Sequence, residues 1–235
     1  MIILGVWDGT PSSAALIIDG KVICALSEER LSRKKNAYGF PANAIQKILS
    51  ENNIKASEID EVAMSTASLS PTYFYTSRNA TFSIGDYWKE QKEYWYRKFY
   101  LGEDPKYLEI FKSKINLNEF PYDESLIKDE KDSLGMMRAR KKYVSEVLNI
   151  SEEIISIHDH HTCHACYGYF MSPYRGKESI IFTMDGNGDN TNGTISVAKP
   201  GEIFKFISRS SNFNLGRIYR YITLLLGMRP ADHEY

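Results

Sequence analysis

An α/β fold built on a mixed sheet is what this sequence predicts, and three observations carry it. Residues 2–26 hold three β-prone runs joined by tight turns, a helix-periodic run then leads into a fourth strand, and the second half restarts with strands around an Asp-Gly turn. A hydrophobic content of 43% and a charged content of 25% over 235 residues suit one large domain or two small ones. The net charge of -1 gives no general pull toward nucleic acid or an anionic membrane, so neither is expected as a partner. Three cysteines make no disulfide framework. The apolar opening is short and lacks a basic leader, and no apolar run approaches the roughly 18 residues that span a bilayer. A cytoplasmic location is expected.

The elements follow in order. Residues 2–7 read as a buried strand ending at Asp8, and Gly9-Thr10-Pro11-Ser12-Ser13 is turn chemistry. Residues 14–18 and 21–26 are strands closed by Asp19-Gly20, a pair that readily takes positive φ. After the basic stretch of residues 28–35, Pro41 opens a helix to about residue 52 with Ala44, Ile45, Ile48 and Leu49 on one face. Residues 61–65 form the fourth strand. Residues 70–132, rich in tryptophan and tyrosine, read as a helical insert with a helix at 87–100. Its aromatics either pack on the main domain or form a lid or partner surface. A helix at 136–148 and a strand at 154–157 precede the histidine cluster, which opens a helix to about residue 171. Strands at 179–184, 193–198 and 203–208 and a helix at 215–226 complete the pattern.

Four of the five histidines fall within residues 158–164. In a helix that starts near His160, His160 and His164 stand one turn apart on one face and can share a divalent ion. Two imidazoles seldom retain a metal, and Asp185 at a strand end is the natural third ligand. Such a set suits iron(II), manganese or zinc. His158 and His161 point to other faces and read as ordinary polar residues. Cys163 and Cys166 match a Cys-x2-Cys spacing and read either as buried small residues or as a redox pair. Asp185-Gly186-Asn187-Gly188-Asp189 invites a phosphate-binding reading through Gly186 and Gly188, against a plain hairpin. Asp8 and Gly9 hold the equivalent place in the first half. Among Arg30, Arg33, Lys34 and Lys35, Lys35 is the candidate for an anionic substrate, and a solvated basic edge is the competing reading.

Together these residues resemble the nodulation, cephamycin and tobramycin carbamoyltransferases, a family related to the tRNA threonylcarbamoyladenosine enzymes. The matching stretches are Ile3-Leu4-Gly5, Ser12 to Leu16 with Asp19-Gly20, Ser27-Glu28-Glu29-Arg30, Arg33-Lys34-Lys35, Phe40-Pro41, the run from His160 to Ala165, Asp185-Gly186-x-Gly188, and Glu234-Tyr235. The resemblance implies an actin-like ATPase fold of two ribonuclease-H-like halves. Residues 1–175 would form the first, with the insert at about 70–132, and residues 176–235 the start of a truncated second. It implies a metal, with iron(II) favoured, on His160, His164 and Asp185. It also implies ATP and carbamoyl phosphate as substrates, a carbamoyl-adenylate intermediate and a small-molecule acceptor hydroxyl. Adenylate formation would reside in a C-terminal domain absent here, which makes the chain an N-terminal part expected to be inactive alone. One departure stands out: Thr10-Pro11 replaces the His-Asp pair usual in the family, and no catalytic base is assigned. A non-catalytic metal- or nucleotide-binding module and a tRNA threonylcarbamoyl-transfer relative remain the alternatives.

Overall fold

The computed structural model describes residues 1–202 and 204–233, with Glu119 described by its backbone alone. The Glu234-Tyr235 end of the resemblance and the expected start of a strand at Ile203 lie outside the described residues. The chain divides into two compact units, one of Met1–Ser65 with Ser70–Ile157, the other of Thr66–Leu69 with His158–Tyr235.

The first unit is built on a five-stranded sheet in the order β3-β2-β1-β4-β5. Strands β1 (Ile2–Trp7), β2 (Ser13–Ile18) and β3 (Lys21–Ser27) form the expected antiparallel meander. Its tight turn takes φ of 48° at Asp19 and 74° at Gly20, as the Asp-Gly pair predicts. Strand β4 (Glu61–Ser65) pairs with β1 in parallel, so the chain must cross over between them, and the helix Ala42–Glu51 lies on that path. This helix buries Ala44, Ile45 and Ile48 against Leu4, Val6, Leu16, Val62 and Met64. Each large aliphatic side chain so buried contributes about 1.5–3 kcal/mol. The helix start is held by Glu28, whose carboxylate accepts hydrogen bonds from Asn43 Nδ2 at 2.5 Å and the Ala44 N–H at 2.9 Å. Residues 28–32 of the basic stretch are thus a short helix (Glu28–Ser32) that caps a longer one.

The helix Ser133–Leu148 begins three residues before its expected start because Asp132 accepts the Gly135 N–H at 2.8 Å and caps it. Arg140 points from this helix into the core, where Asp8 meets it. Its Nε and Nη2 contact the two Asp8 oxygens at 2.8 and 2.6 Å, and both residues are fully buried. Tyr122 donates a third hydrogen bond to Asp8 at 2.6 Å, and Arg140 Nη2 also reaches the Ser65 carbonyl at 2.8 Å. Gly9 is closed as well, since a Cβ there would stand 1.9 Å from the Trp7 ring. Asp8 and Gly9, expected to face a phosphate, here form a buried ion pair and a packing contact.

The insert has its own aromatic interior, with Phe82, Tyr87, Tyr107 and Phe111 buried around a second ion pair, Arg78 with Glu90. Both oxygens of Glu90 accept from Arg78 at 2.6 Å, and Tyr107 donates to it at 2.6 Å. Tyr122 and Tyr143 stack edge-to-face at 5.4 Å and tie the insert to the helix Ser133–Leu148. The expected helix at 87–100 is three segments, with a wide π-helical stretch Glu90–Tyr96 between Ile84–Lys89 and Arg97–Tyr100. Tyr96 at its end, and Phe99 and Tyr100 beyond it, are exposed.

The second unit holds an antiparallel sheet of β6 (Ser179–Gly188), β7 (Thr191–Ala198) and β8 (Lys205–Ser210). The helix His160–Phe170 packs on β6 and β7. The glycine-bearing stretch after Met184 is not a loop. It continues β6 through an irregular register to Gly188, and the turn falls at Asp189 and Asn190, with φ of 50° and 59°. Among the described residues no helix is long and apolar enough to cross a membrane.

Arg140→Met leaves the Asp8 carboxylate buried without its cation. A loss of about 3–5 kcal/mol in unfolding free energy is expected from urea titration.

Candidate metal centre

The histidine helix starts where it does because Asp159 caps it, accepting from the Thr162 N–H at 2.8 Å and the Thr162 hydroxyl at 2.9 Å. Arg209 holds Asp159 in turn, at 3.0 and 3.2 Å. Burial raises the Asp159 carboxyl, and the hydrogen bonds from Arg209 and Thr162 more than offset this, leaving it below its ordinary value. With the helix start fixed, His160 and His164 leave it on one face and His161 on another.

His161 is fully buried. Its Nε2–H donates to the Thr191 carbonyl at 3.0 Å, and its Nδ1 hydrogen-bonds the Thr183 hydroxyl at 2.7 Å. Thr183 also hydrogen-bonds the Thr194 hydroxyl at 2.6 Å. This chain consumes both ring nitrogens and pins the helix to β6 and β7. His158 is exposed at the end of β5 (Ile155–His158). Neither joins the cluster of ligand atoms, as their positions in the sequence suggest.

His160, His164 and Asp185 do come together. One ligand atom from each lies within 4.8 Å of the others. His160 Nε2 stands 3.0 Å from His164 Nε2 and 2.5 Å from Asp185 Oδ2, and His164 Nε2 stands 3.6 Å from the same oxygen. An ion with bonds of about 2.0–2.2 Å spaces adjacent ligand atoms at about 3.0 Å in octahedral and about 3.4 Å in tetrahedral geometry. Two edges of the observed triangle fall near that range, and the third, at 2.5 Å, opens by about 0.5–0.9 Å when the short hydrogen bond gives way to an ion. The donor set fits a divalent cation, and three ligands on one side leave the other positions open. Burial pushes the Asp185 carboxyl up, but hydrogen bonds from His160 and His164 overcome it and hold the group well below the usual carboxylate range. It is an anion at neutral pH, as a ligand must be.

Three further residues shape the site, of which Thr66 and Gly216 carry no signal in the sequence and Asp189 closes the Asp-Gly-Asn-Gly-Asp stretch. Thr66 places its hydroxyl 2.9 Å from His160 Nδ1, and it adopts φ of 66°. Asp189 accepts from the backbone N–H groups of Ala67, Ser68 and His160. Gly216, in the helix Leu215–Leu225, lets its first turn approach the Asp185–Gly186 backbone, where a Cβ would stand 2.7 Å from the Gly186 nitrogen. The two glycines of the Asp-Gly-Asn-Gly-Asp stretch differ. A Cβ on Gly186 meets nothing within 4 Å, whereas one on Gly188 would stand 2.1 Å from the His160 ring.

Lys35 is exposed and lies 3.8 Å from Glu29, so the solvated-edge reading describes it in this structure. Cys163 and Cys166 are unpaired and half-buried. Burial, with the neighbouring Cys166 adding to it, pushes the Cys163 thiol up to about 11, and burial raises Cys166 too. A thioredoxin-like pair needs the opposite shift.

Iodoacetamide is expected to label Cys163 far more slowly than a free thiol at pH 7.5, with a rate that climbs until the pH nears 11. Thermal melts separate the glycines: Gly188→Ala is expected to cost about 1–3 kcal/mol, and Gly186→Ala to stay within about 0.5 kcal/mol.

A family model described as carbamoyltransferase N-terminus matches residues 3–235. An uncharacterized protein of Methanocaldococcus jannaschii is 26% identical over 234 residues, covering 99% of this chain and 31% of that protein. The nodulation protein NolNO of Sinorhizobium fredii is 25% identical over 223 residues, covering 95% of this chain and 26% of NolNO. The chain therefore spans less than a third of the length of these relatives. YeaZ from Pseudomonas aeruginosa, a solved structure, aligns over 89% of this chain and 66% of that chain at 9% identity with a TM-score of 0.36, too low to assign a fold. Matched along nearly its whole length, the chain belongs to the carbamoyltransferase N-terminus family.

Proposed function

We propose that this chain is the metal-holding N-terminal part of an O-carbamoyltransferase. In this reading ATP and carbamoyl phosphate yield a carbamoyl-adenylate, and the carbamoyl group passes to the hydroxyl of a small molecule in the cytoplasm. The observation that carries the reading is the convergence of His160, His164 and Asp185 in a chain of this family. A bound iron(II), or manganese or zinc in its place, would supply Lewis-acid stabilisation of phosphate or carbonyl oxygens. The protein's own part is to hold two imidazoles and one carboxylate on one side of the ion and to leave the other side accessible to an oxyanion. Adenylate formation is assigned to a C-terminal domain outside this sequence.

The actin-like ATPase fold belongs to the same proposal. Each compact unit carries a three-stranded antiparallel meander, β1-β2-β3 in one and β6-β7-β8 in the other, which supports two ribonuclease-H-like halves. A second reading, a metal- or nucleotide-binding module without turnover, draws on Thr10-Pro11 standing where the family usually has His-Asp. A missing base leaves the acceptor hydroxyl without its proton acceptor.

His160→Ala, His164→Ala and Asp185→Ala are each expected to reduce the iron retained after anaerobic purification to a trace, by elemental analysis. The metal-loaded chain is expected to bind ATP or carbamoyl phosphate in calorimetry. Pyrophosphate release that requires carbamoyl phosphate, once the adenylate-forming portion is supplied, favours the enzyme. Nucleotide binding with no such release favours the module.

A further inference from the structure

We propose that Asp189 is a positioning residue for the metal centre, acting through Thr66 on the ring of His160. The inference rests on the metal-centre reading and adds to it the residues that aim one ligand. Asp189 Oδ2 accepts the Ala67 N–H at 3.1 Å and the His160 N–H at 2.6 Å, and its Oδ1 accepts the Ser68 N–H at 2.5 Å. A carboxylate with three backbone donors is a strong, directional anchor. It joins the segment Thr66–Leu69 to the first residue of the histidine helix.

The adjoining Thr66 is buried at φ of 66°, a left-handed conformation that β-branched residues rarely adopt. Such a conformation persists where the surroundings over-determine it, and the Asp189 anchor begins at the next residue. The result is a hydroxyl held 2.9 Å from His160 Nδ1. A hydroxyl donates or accepts as required. It can therefore accept Nδ1–H when Nε2 serves as a ligand, the second partner that metal-binding imidazoles usually have. Helix capping alone does not account for Asp189, because Asp159 already caps this helix. A turn role does not account for it either, because the bonds to Ala67 and Ser68 reach outside the hairpin.

Cobalt(II) titration of the full chain, followed by visible absorption, tests the assignment. Thr66→Val removes the hydroxyl and keeps the shape, and Thr66→Ser restores it. Thr66→Val and Asp189→Asn are each expected to weaken cobalt binding about 10- to 100-fold, with Thr66→Ser within about threefold of the parent. If Asp189 acts through Thr66, the double variant Thr66→Val/Asp189→Asn is no weaker than the worse single one. Circular dichroism checks folding, and if Asp189→Asn fails that check the Thr66 pair decides alone. Parent-like binding by Thr66→Val, or two losses that multiply, overturns this inference and leaves the metal centre standing. A parent chain that binds no cobalt removes the metal centre itself, and this inference with it.

Discussion

The wedge that His161 drives between the histidine helix and the second sheet is the contact on which the candidate metal site depends. An imidazole with both nitrogens engaged, one by the Thr191 carbonyl and one by Thr183, cannot shift without leaving a buried polar group unpaired. Such a loss costs about 1–3 kcal/mol. The helix is thereby fixed against β6, and β6 carries Asp185. The neighbouring His160 and, one turn on, His164 then meet that carboxylate by construction. Two histidines with adjacent numbers hold opposite kinds of role: one is consumed by the structure so that the other stays available.

The same division separates the aspartates. Asp8 follows β1 and is neutralised in the interior by a two-pronged arginine and a tyrosine hydroxyl. Asp185 lies within β6 and, among the described residues, hydrogen-bonds imidazoles and one backbone N–H, partners that a cation can replace. The Asp189 carboxylate accepts from three backbone N–H groups. The electrostatics of each site, more than its position after a strand, decides which carboxylate serves structure and which remains open to chemistry.

Much of this was legible in the residues. The meander followed from β-prone runs and Asp19-Gly20, and the pairing of His160 with His164 followed from helical spacing. Asp185 was singled out as the end of a strand, and that strand in fact runs on to Gly188. What escaped was long-range. Arg140 looks like one more basic residue in a helix, and nothing near it in sequence announces Asp8 as its partner, 132 positions away. Thr66 carries no motif, because its value lies in a backbone conformation and a contact 94 residues distant. Glu28 read as part of a charged run, although its oxygens cap a helix 16 residues on. The Asp-Gly-Asn-Gly-Asp stretch was open to a phosphate-binding or a hairpin reading, and it runs into the β6–β7 hairpin. Here one glycine makes room for an imidazole within a continuing strand.

The wide helical stretch Glu90–Tyr96 sets the angular phase of all that follows it in that helix. A π-helical turn carries more residues than an α-helical one, so it displaces every later side chain around the axis. Glu90, locked to Arg78 and Tyr107, fixes where that change of winding begins. The ring pairs Trp95 with Phe99 and Tyr96 with Tyr100, at 5.5 and 5.3 Å, each stand four residues apart and face as one helical turn brings them. Deleting a single residue within it would rewind the helix to the ordinary pitch and rotate the aromatic tip to a new bearing, without altering one aromatic residue.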